Sequence, residues 1–540
     1  MADYIYMMES RLTPDQQRGV ALVQEVARAQ EMNVYLTGGA IRDIISGFPI
    51  RDLDFTVQGN ALKLQHPLEK AGAIIQGVDE DLRSMYVLLP GGVRSEVAMA
   101  RSEEYEKPGR PPRISAATIS EDLHRRDFTI NAMALSLNPG SRGLLLDPFN
   151  GAADIEAKLI RILHNYAFYE EPSRLIRATR FNARFHFALE ERTQARFNAA
   201  REGNYIDNIS DRAIGYEIEQ LAYEDDPLHI LVIYEKEGWL KVLNAHWSAS
   251  KVDTASLSQL LKTRQQMQDL GYTVDAAPAA MYFLTRRLGD RDVAAMQRLI
   301  PRKGFVEAWR KLEDDAKELA KRLAGKEAAT PSLAWKLLSQ ARPETILFLE
   351  TTTRHQGVAQ KIRNFFTKWR QVKNRLPLPE MTELHITPEL PDYPKLAEDT
   401  FYLLLNGKLR SRTEILKFLK PFAPPPPAPP PTAKRGRAAK AAEAAPSEPK
   451  KRAKKATAAE AAGAVAASSK QTAQKPLPHP SKGSLGGAPA GVGVTPSSAQ
   501  KLVSPPAAVK TAATKPTLKK APSGNAKPQA SRKSAARKKK

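Results

Sequence analysis

From Pro421 onward the chain has almost nothing with which to build a core, and this bounds what the rest can be. Ala423-Pro424 through Pro431 is nearly all proline, and Ala, Lys, Ser, Pro and Gly follow with almost no aromatic or branched apolar residues. Such a composition cannot bury enough surface to offset the entropy of ordering. Residues 421–540 are therefore expected to be a proline spacer leading into a disordered basic tail. The tail also changes how the charge is read. It holds 24 Lys and Arg against three acids, Glu443, Glu448 and Glu460, so the first 420 residues carry 58 basic and 56 acidic side chains out of a total net charge of +23. The folded part is close to neutral. The clusters Lys450 to Lys455 and Arg537 to Lys540 would attract nucleic acid non-specifically. A solubilising tail with no partner of its own is the other reading of the same pattern.

The remaining 420 residues are enough for several domains. With no cysteine in the chain, disulfides, thiol catalysis and thiolate metal sites are excluded, which leaves oxygen and imidazole ligands. Met1 to Leu12 interleaves Asp3, Glu9 and Arg11 with apolar residues, and no later apolar run is long enough to span a bilayer. The expectation is a cytoplasmic protein with no membrane partner.

Thr13-Pro14-Asp15-Gln16 has the form of a helix start: an N-cap, proline in the first turn and a capping-box glutamine. Val34 to Thr37 then reads as a strand that stops at Gly38-Gly39, and Ala40 to Ser46 reads as a helix closed by Gly47. Asp52 to Val57 alternates as a strand does, and residues 86–89 and 93–99 flank Pro90-Gly91-Gly92 as the arms of a hairpin. After about Asp154 the periodicity is helical almost throughout, including Pro172 to Phe185, Ser256 to Leu270 and Thr413 to Leu419. The spacing predicts an α/β head and an all-α body, with no internal repeat.

On an extended strand, residues two apart share a face, so Asp52 and Asp54 would point together while Leu53 and Phe55 point into a core. Two neighbouring carboxylates repel unless a cation lies between them, although Asp-x-Asp also occurs on ordinary surface strands. Glycines at the Gly38-Gly39 turn would allow close backbone approach, and the N–H groups of the following helix favour phosphate oxygens. Glu96, among Val93, Val97 and Met99, is a third candidate ligand or a solvent-facing glutamate. Arg174, Arg177, Arg180 and Arg184 recur at three, three and four residues, which sets four guanidinium groups along one helix face. A plain solvated arginine face fits that spacing as well.

Several ordered motifs resemble one family. Leu36-Thr37-Gly38-Gly39-Ala40-Ile41-Arg42-Asp43, then Arg51-Asp52-Leu53-Asp54, then Glu121 to Ala134 with Arg125-Arg126-Asp127 and Asn131, look like the head of class II CCA-adding enzymes and bacterial poly(A) polymerases. Asp147 to Gly151 with Asp154, Glu170-Glu171-Pro172-Ser173-Arg174, and Ile209 to Arg212 with Glu217 follow in the family's order, over roughly residues 20–220. The resemblance implies a nucleotidyltransferase-type head with a small mixed sheet (1–153), a helical neck that selects the nucleotide (154–222), an α-helical RNA-binding body (223–420) and the basic tail (421–540).

It further implies that Asp52, Asp54 and Glu96 hold two magnesium ions. Gly38, Gly39, Arg42, Arg125, Asp127 and Asn131 would contact the incoming ATP or CTP, and Glu171, Arg174, Arg177 and Arg180 would read its base or bind it. Relatives usually have Asp where this chain has Glu171, and they carry a flexible loop where Ser102 to Ala117 lies. No histidine sits in a His-Asp pair, so the phosphohydrolase domain of some relatives is not indicated. The expected activity is template-independent addition of CCA to the 3′ end of tRNA. Poly(A) or A-only addition, and an inactive RNA-binding protein, are the alternatives.

Overall fold

A computed structural model describes residues 3–424; the expected basic tail beyond them lies outside the described residues. The capping box forms as its sequence suggests: Gln16 N–H donates to Thr13 Oγ1 at 3.2 Å and Thr13 N–H to Gln16 Oε1 at 3.0 Å. The Pro14–Ala29 helix buries Val20, Val23 and Val26 against the head sheet. Its Gln16 amide also donates to the Ile50 carbonyl at 2.9 Å, which ties the helix to the segment just before Asp52.

The head sheet has seven strands in the order β3-β4-β5-β2-β1-β8-β9. These are β1 (Val34–Thr37), β2 (Leu53–Val57), β3 (Ile74–Asp79), β4 (Ser84–Leu89), β5 (Val93–Met99), β8 (Ala134–Ser136) and β9 (Leu145–Leu146). The sheet is mixed, because β2 runs antiparallel to β1 but parallel to β5. The expected hairpin is present as β4 and β5. Ser102 to Ala117, expected as a loop, instead contributes most of a second, two-stranded sheet, β6 (Arg101–Glu104) and β7 (Arg113–Ala116). Buried ion pairs at its base, described below, give it a reason to order.

Beyond the head the described residues are helical apart from two short parallel strands, Leu159–Ile160 and Ala188–Leu189. The neck helix Ser173–Phe185 docks on the head through aromatic contacts. Phe181 meets Phe128 at 5.9 Å between ring centroids, and Phe185 meets Phe48 at 5.0 Å. One apolar core runs from Met8 to Leu405 without a break at the head, neck or body junctions, and a separate cluster around Met381, Ile386, Leu396 and Leu419 closes the far end. Among the described residues no helix is long and apolar enough to cross a membrane.

Candidate active site

Alternation along β2 and β5 builds the floor of a cavity of about 730 Å³. Leu53, Phe55 and Val57 of β2 and Ser95, Val97 and Met99 of β5 point into the core. The opposite faces then present Asp54 and Thr56 beside Glu96 and Ala98. Parallel register sets Asp54 directly opposite Glu96, and antiparallel register sets it opposite Thr37. Asp52 lies one residue before β2 and lines the same cavity.

The three acids feel one another and differ in their surroundings. Burial, followed by the charges of Asp52 and Glu96, pushes the Asp54 carboxyl well above its ordinary value. Burial acts upward on Asp52 too, yet Arg94, Arg51, Arg302 and Arg184 together hold it below its ordinary value. Arg94 Nη2 donates to Asp52 Oδ2 at 2.6 Å. Among the described residues no three acidic or imidazole groups stand as a closed cage around one point. The donor set nonetheless suits a hard divalent cation, being all carboxylate oxygen, and a cation between Asp54 and its neighbours would relieve the repulsion that raises it.

At the Gly38-Gly39 turn, Gly38 adopts φ +63° and ψ −129°, a conformation open essentially to glycine alone. A Cβ there would also stand 3.1 Å from Arg126 Nη1 and 3.4 Å from Asp54 Oδ2. The Gly38 N–H is spent on the Met133 carbonyl at 3.4 Å. Gly38 therefore contributes room beside Asp54 rather than its amide.

The Arg-Arg-Asp run is ordered by a residue that sequence reasoning passed over. Asp122, fully buried, accepts from Arg125 at 2.7 Å and from Arg126 at 2.8 Å. Its spacing of three and four residues before the two arginines on a helix was the available signal. Arg125 reaches on to Glu103 of the β6–β7 hairpin at 3.1 Å. Burial pushes Glu103 up, but Arg125 and Arg101 outweigh it and hold the carboxyl at about 2. Asp127 accepts from Asn131 Nδ2 at 3.0 Å and from Arg177 at 2.9 Å, and Asn131 Oδ1 accepts from Arg42 at 2.7 Å.

The neck arginines do not form a solvated face. Arg174 donates to the Ala167 carbonyl at 3.1 Å and to the Arg125 carbonyl at 2.8 Å. Arg177 is shared between Asp127 and Glu217, Arg180 between Glu217 and Glu224, and Arg184 lies between Asp43 and Glu224. Glu171, next to Arg174 in the cavity wall, accepts from the Ser173 N–H at 3.2 Å. All thirteen residues singled out from the sequence line this one cavity. Arg94, Glu219, Tyr223 and Arg302 went unread, and Arg51 was read only as part of the motif before Asp52. Arg51, Arg94, the Glu219–Tyr223 turn and Arg302 are far apart in the chain, and no period joins them.

Residues 34–161 match the family model described as the poly(A) polymerase head domain. The A-adding tRNA nucleotidyltransferase of Halalkalibacterium halodurans is 35% identical over 259 residues, 47% of this chain and 60% of that protein. Through its head the chain is thus similar to tRNA nucleotidyltransferases. The multifunctional CCA protein of Thioalkalivibrio sulfidiphilus is 35% identical over 219 residues, 39% of this chain and 50% of that protein. The A-adding enzyme of Geobacter sulfurreducens is 25% identical over 409 residues, 74% of this chain and 46% of that protein. The chain thus spans less than two thirds of the length of these relatives. A solved CCA-adding enzyme in an apo form is 26% identical, with a TM-score of 0.40 over 77% of this chain and 98% of its own.

Proposed function

We propose that this protein is a template-independent RNA nucleotidyltransferase that adds CCA to the 3′ end of tRNA from CTP and ATP. The observation that carries the reading is a single cavity with three carboxylates on its floor and both Glu171 and Arg174 in its wall. Asp52, Asp54 and Glu96 are the residues that would hold two magnesium ions. When bound, such ions supply a lowered pKa for the RNA 3′-hydroxyl and charge stabilisation for the triphosphate. The protein's own share is positioning. Gly38 leaves room for a phosphate beside Asp54, Arg42 and Arg126 offer donors near it, and the Asp127–Asn131–Arg42 chain keeps those donors in place. Glu171 as acceptor and Arg174 as donor match the hydrogen-bonding edge of a base, so selection needs no nucleic-acid template. Matched relatives named A-adding tRNA nucleotidyltransferase and multifunctional CCA protein support the reading.

The deciding experiment supplies purified protein with magnesium and tRNA lacking its 3′-CCA, tRNA ending in CC, or a generic oligonucleotide, together with CTP, ATP or both. Three defined additions on tRNA alone are expected. Addition of A only to a tRNA already ending in CC would make the protein an A-adding enzyme, long A-tails on either RNA would make it a poly(A) polymerase, and no incorporation would refute the enzyme reading.

Glu171→Leu removes a charged acceptor from the wall, and a hydrogen bond to a charged group contributes ~1.5–3 kcal/mol. The expected result is a ~10- to 100-fold loss in kcat/KM for CTP, measured by single-nucleotide extension, with discrimination against UTP weakened. Deletion of 421–540 is expected to weaken tRNA affinity mainly at low salt and to leave nucleotide choice unchanged. Salt-titrated binding and the same extension assay check the two halves of that statement.

A further inference from the structure

Asp52 accepts one hydrogen bond among the described residues, from Arg94 to its Oδ2, and its Oδ1 receives none. The Arg94 side chain is only 8% exposed, whereas that of Asp52 is 24% exposed on the cavity side. Arg94 lies behind the site and Asp52 in front of it. Arg94 is not held by the head alone: its guanidinium carbon stacks 3.6 Å from the ring centroid of Tyr223, at the end of the Asp211–Ala222 helix. The Tyr223 carbonyl accepts from Arg51 Nη1 at 2.7 Å, and Arg51 is the residue before Asp52. The Tyr223 ring meets Phe305 of the body at 5.6 Å, and Arg302 beside it donates to Glu219 of the same neck helix at 2.9 Å. Tyr223, at the junction of neck and body and packed on Phe305, thus grips Asp52 twice, once through Arg94 and once through the side chain of Arg51, the residue before it.

Arg94 Nη1 is buried with no hydrogen-bond partner. A buried guanidinium with an unmet donor is a poor way to fill space, since an apolar side chain of the same length would pack there without stranding a charge. Its planar fork does what an apolar chain cannot: one edge takes a single carboxylate oxygen while the face lies flat on an aromatic ring. Partners of this kind orient the side chains that bind a metal and set its affinity.

We propose that Arg94 is a positioning residue, clamped by Tyr223, that holds Asp52 Oδ2 so that Oδ1 alone faces the cavity as a divalent-cation ligand. The inference rests on the reading of Asp52 as a metal ligand. It makes metal affinity depend on the neck and body being seated on the head. Cations reach the site from the cavity side, and Arg94 does not compete with them for Oδ1.

The test measures Mn²⁺ binding to the full-length protein by electron paramagnetic resonance, alongside the Mg²⁺ dependence of incorporation. Arg94→Met is expected to raise the Mn²⁺ dissociation constant ~10- to 100-fold. It should shift the Mg²⁺ midpoint to match, while KM for CTP at saturating Mg²⁺ changes by less than ~2-fold, a ceiling set well below that loss. Arg94→Lys, which keeps the charge without the flat fork, should recover part of the affinity. Tyr223→Leu leaves the Arg94–Asp52 pair but removes the stack, and is expected to weaken Mn²⁺ binding in the same direction; it decides the matter if Arg94→Met does not fold. Unchanged or tighter Mn²⁺ binding in a folded Arg94→Met, or in Tyr223→Leu if Arg94→Met does not fold, overturns the proposal. Asp52→Asn separates the two levels. If it leaves Mn²⁺ binding intact, the metal assignment itself fails; if it weakens binding while Arg94→Met does not, only the positioning role is lost.

Discussion

Asp54→Asn is expected to abolish nucleotide incorporation while leaving the protein at least as stable as before. Asp54 lies at the centre of the floor, opposite Glu96 in register and beside Asp52. On the proposed reading of Asp52, Asp54 and Glu96 as metal ligands, loss of its charge removes one of the three carboxylates that would hold the ions. A drop on the order of 10³-fold or more, about 4 kcal/mol of transition-state stabilisation, is expected for a metal site deprived of a carboxylate ligand. Stability moves the other way. Burial and the charges of Asp52 and Glu96 raise the folded-state pKa of Asp54, so the native protein binds more protons than the unfolded chain above the ordinary carboxylate range. Stability therefore falls as pH rises through that raised value. Asparagine does not ionise, so the variant's advantage in metal-free buffer should grow over the same window. Added Mg²⁺ should stabilise the wild type and not the variant. Thermal melts across pH, with and without Mg²⁺, read both signs; a variant less stable than wild type at neutral pH without metal would contradict this account of the site.

The second large effect is expected from Glu217→Ala. Glu217 is fully buried, accepting from Arg177 at 3.0 Å and from Arg180 at 3.1 Å. Removing one partner of a buried ion pair costs about 3–5 kcal/mol because the remaining charge is stranded. The lower end of that range applies, since Arg180 keeps Glu224 and Arg177 keeps Asp127. Chemical denaturation should show a loss of about 3 kcal/mol for Glu217→Ala and a smaller one for Glu217→Gln, which keeps an acceptor. Activity should fall with it. Arg177 would be left to pull on Asp127 alone, and Asp127 orders Asn131 and, through it, Arg42. Equal stability of the alanine variant and wild type would mean that this network is a surface feature, contrary to its burial.

Much of this was legible beforehand, for reasons of period and punctuation. Thr13 and Gln16 announce a helix start because capping is local, and Gly38 and Gly47 mark turns because glycine takes the positive φ values found there at least cost. Asp52 and Asp54 could be placed on one face because a strand alternates with period two, whereas Glu96 comes beside them only through the register of β5 on β2. The β6–β7 hairpin was not legible. Its order comes from Glu103 meeting Arg125, twenty-two residues away, and charge, Pro and Gly within the segment gave no sign of that.

The neck arginines mark the line between what the two levels decide. Spacing alone puts Arg174, Arg177, Arg180 and Arg184 on one helix face, and the motif around Glu171 says which family that face resembles. Whether the face is wet or buried depends on what packs against it, and the partners Asp43, Asp127, Glu217 and Glu224 are 37 or more residues away along the chain. The same holds for Arg94 and Tyr223. The sequence by itself determined most of the elements and set Asp52 and Asp54 on one face, since these follow from short-range periodicity and backbone constraint. Only the tertiary structure decided which guanidinium groups are spent on holding the site and which face the cavity, because a charge finds its partner through space, and a one-dimensional pattern carries no distance between residues 94 and 223.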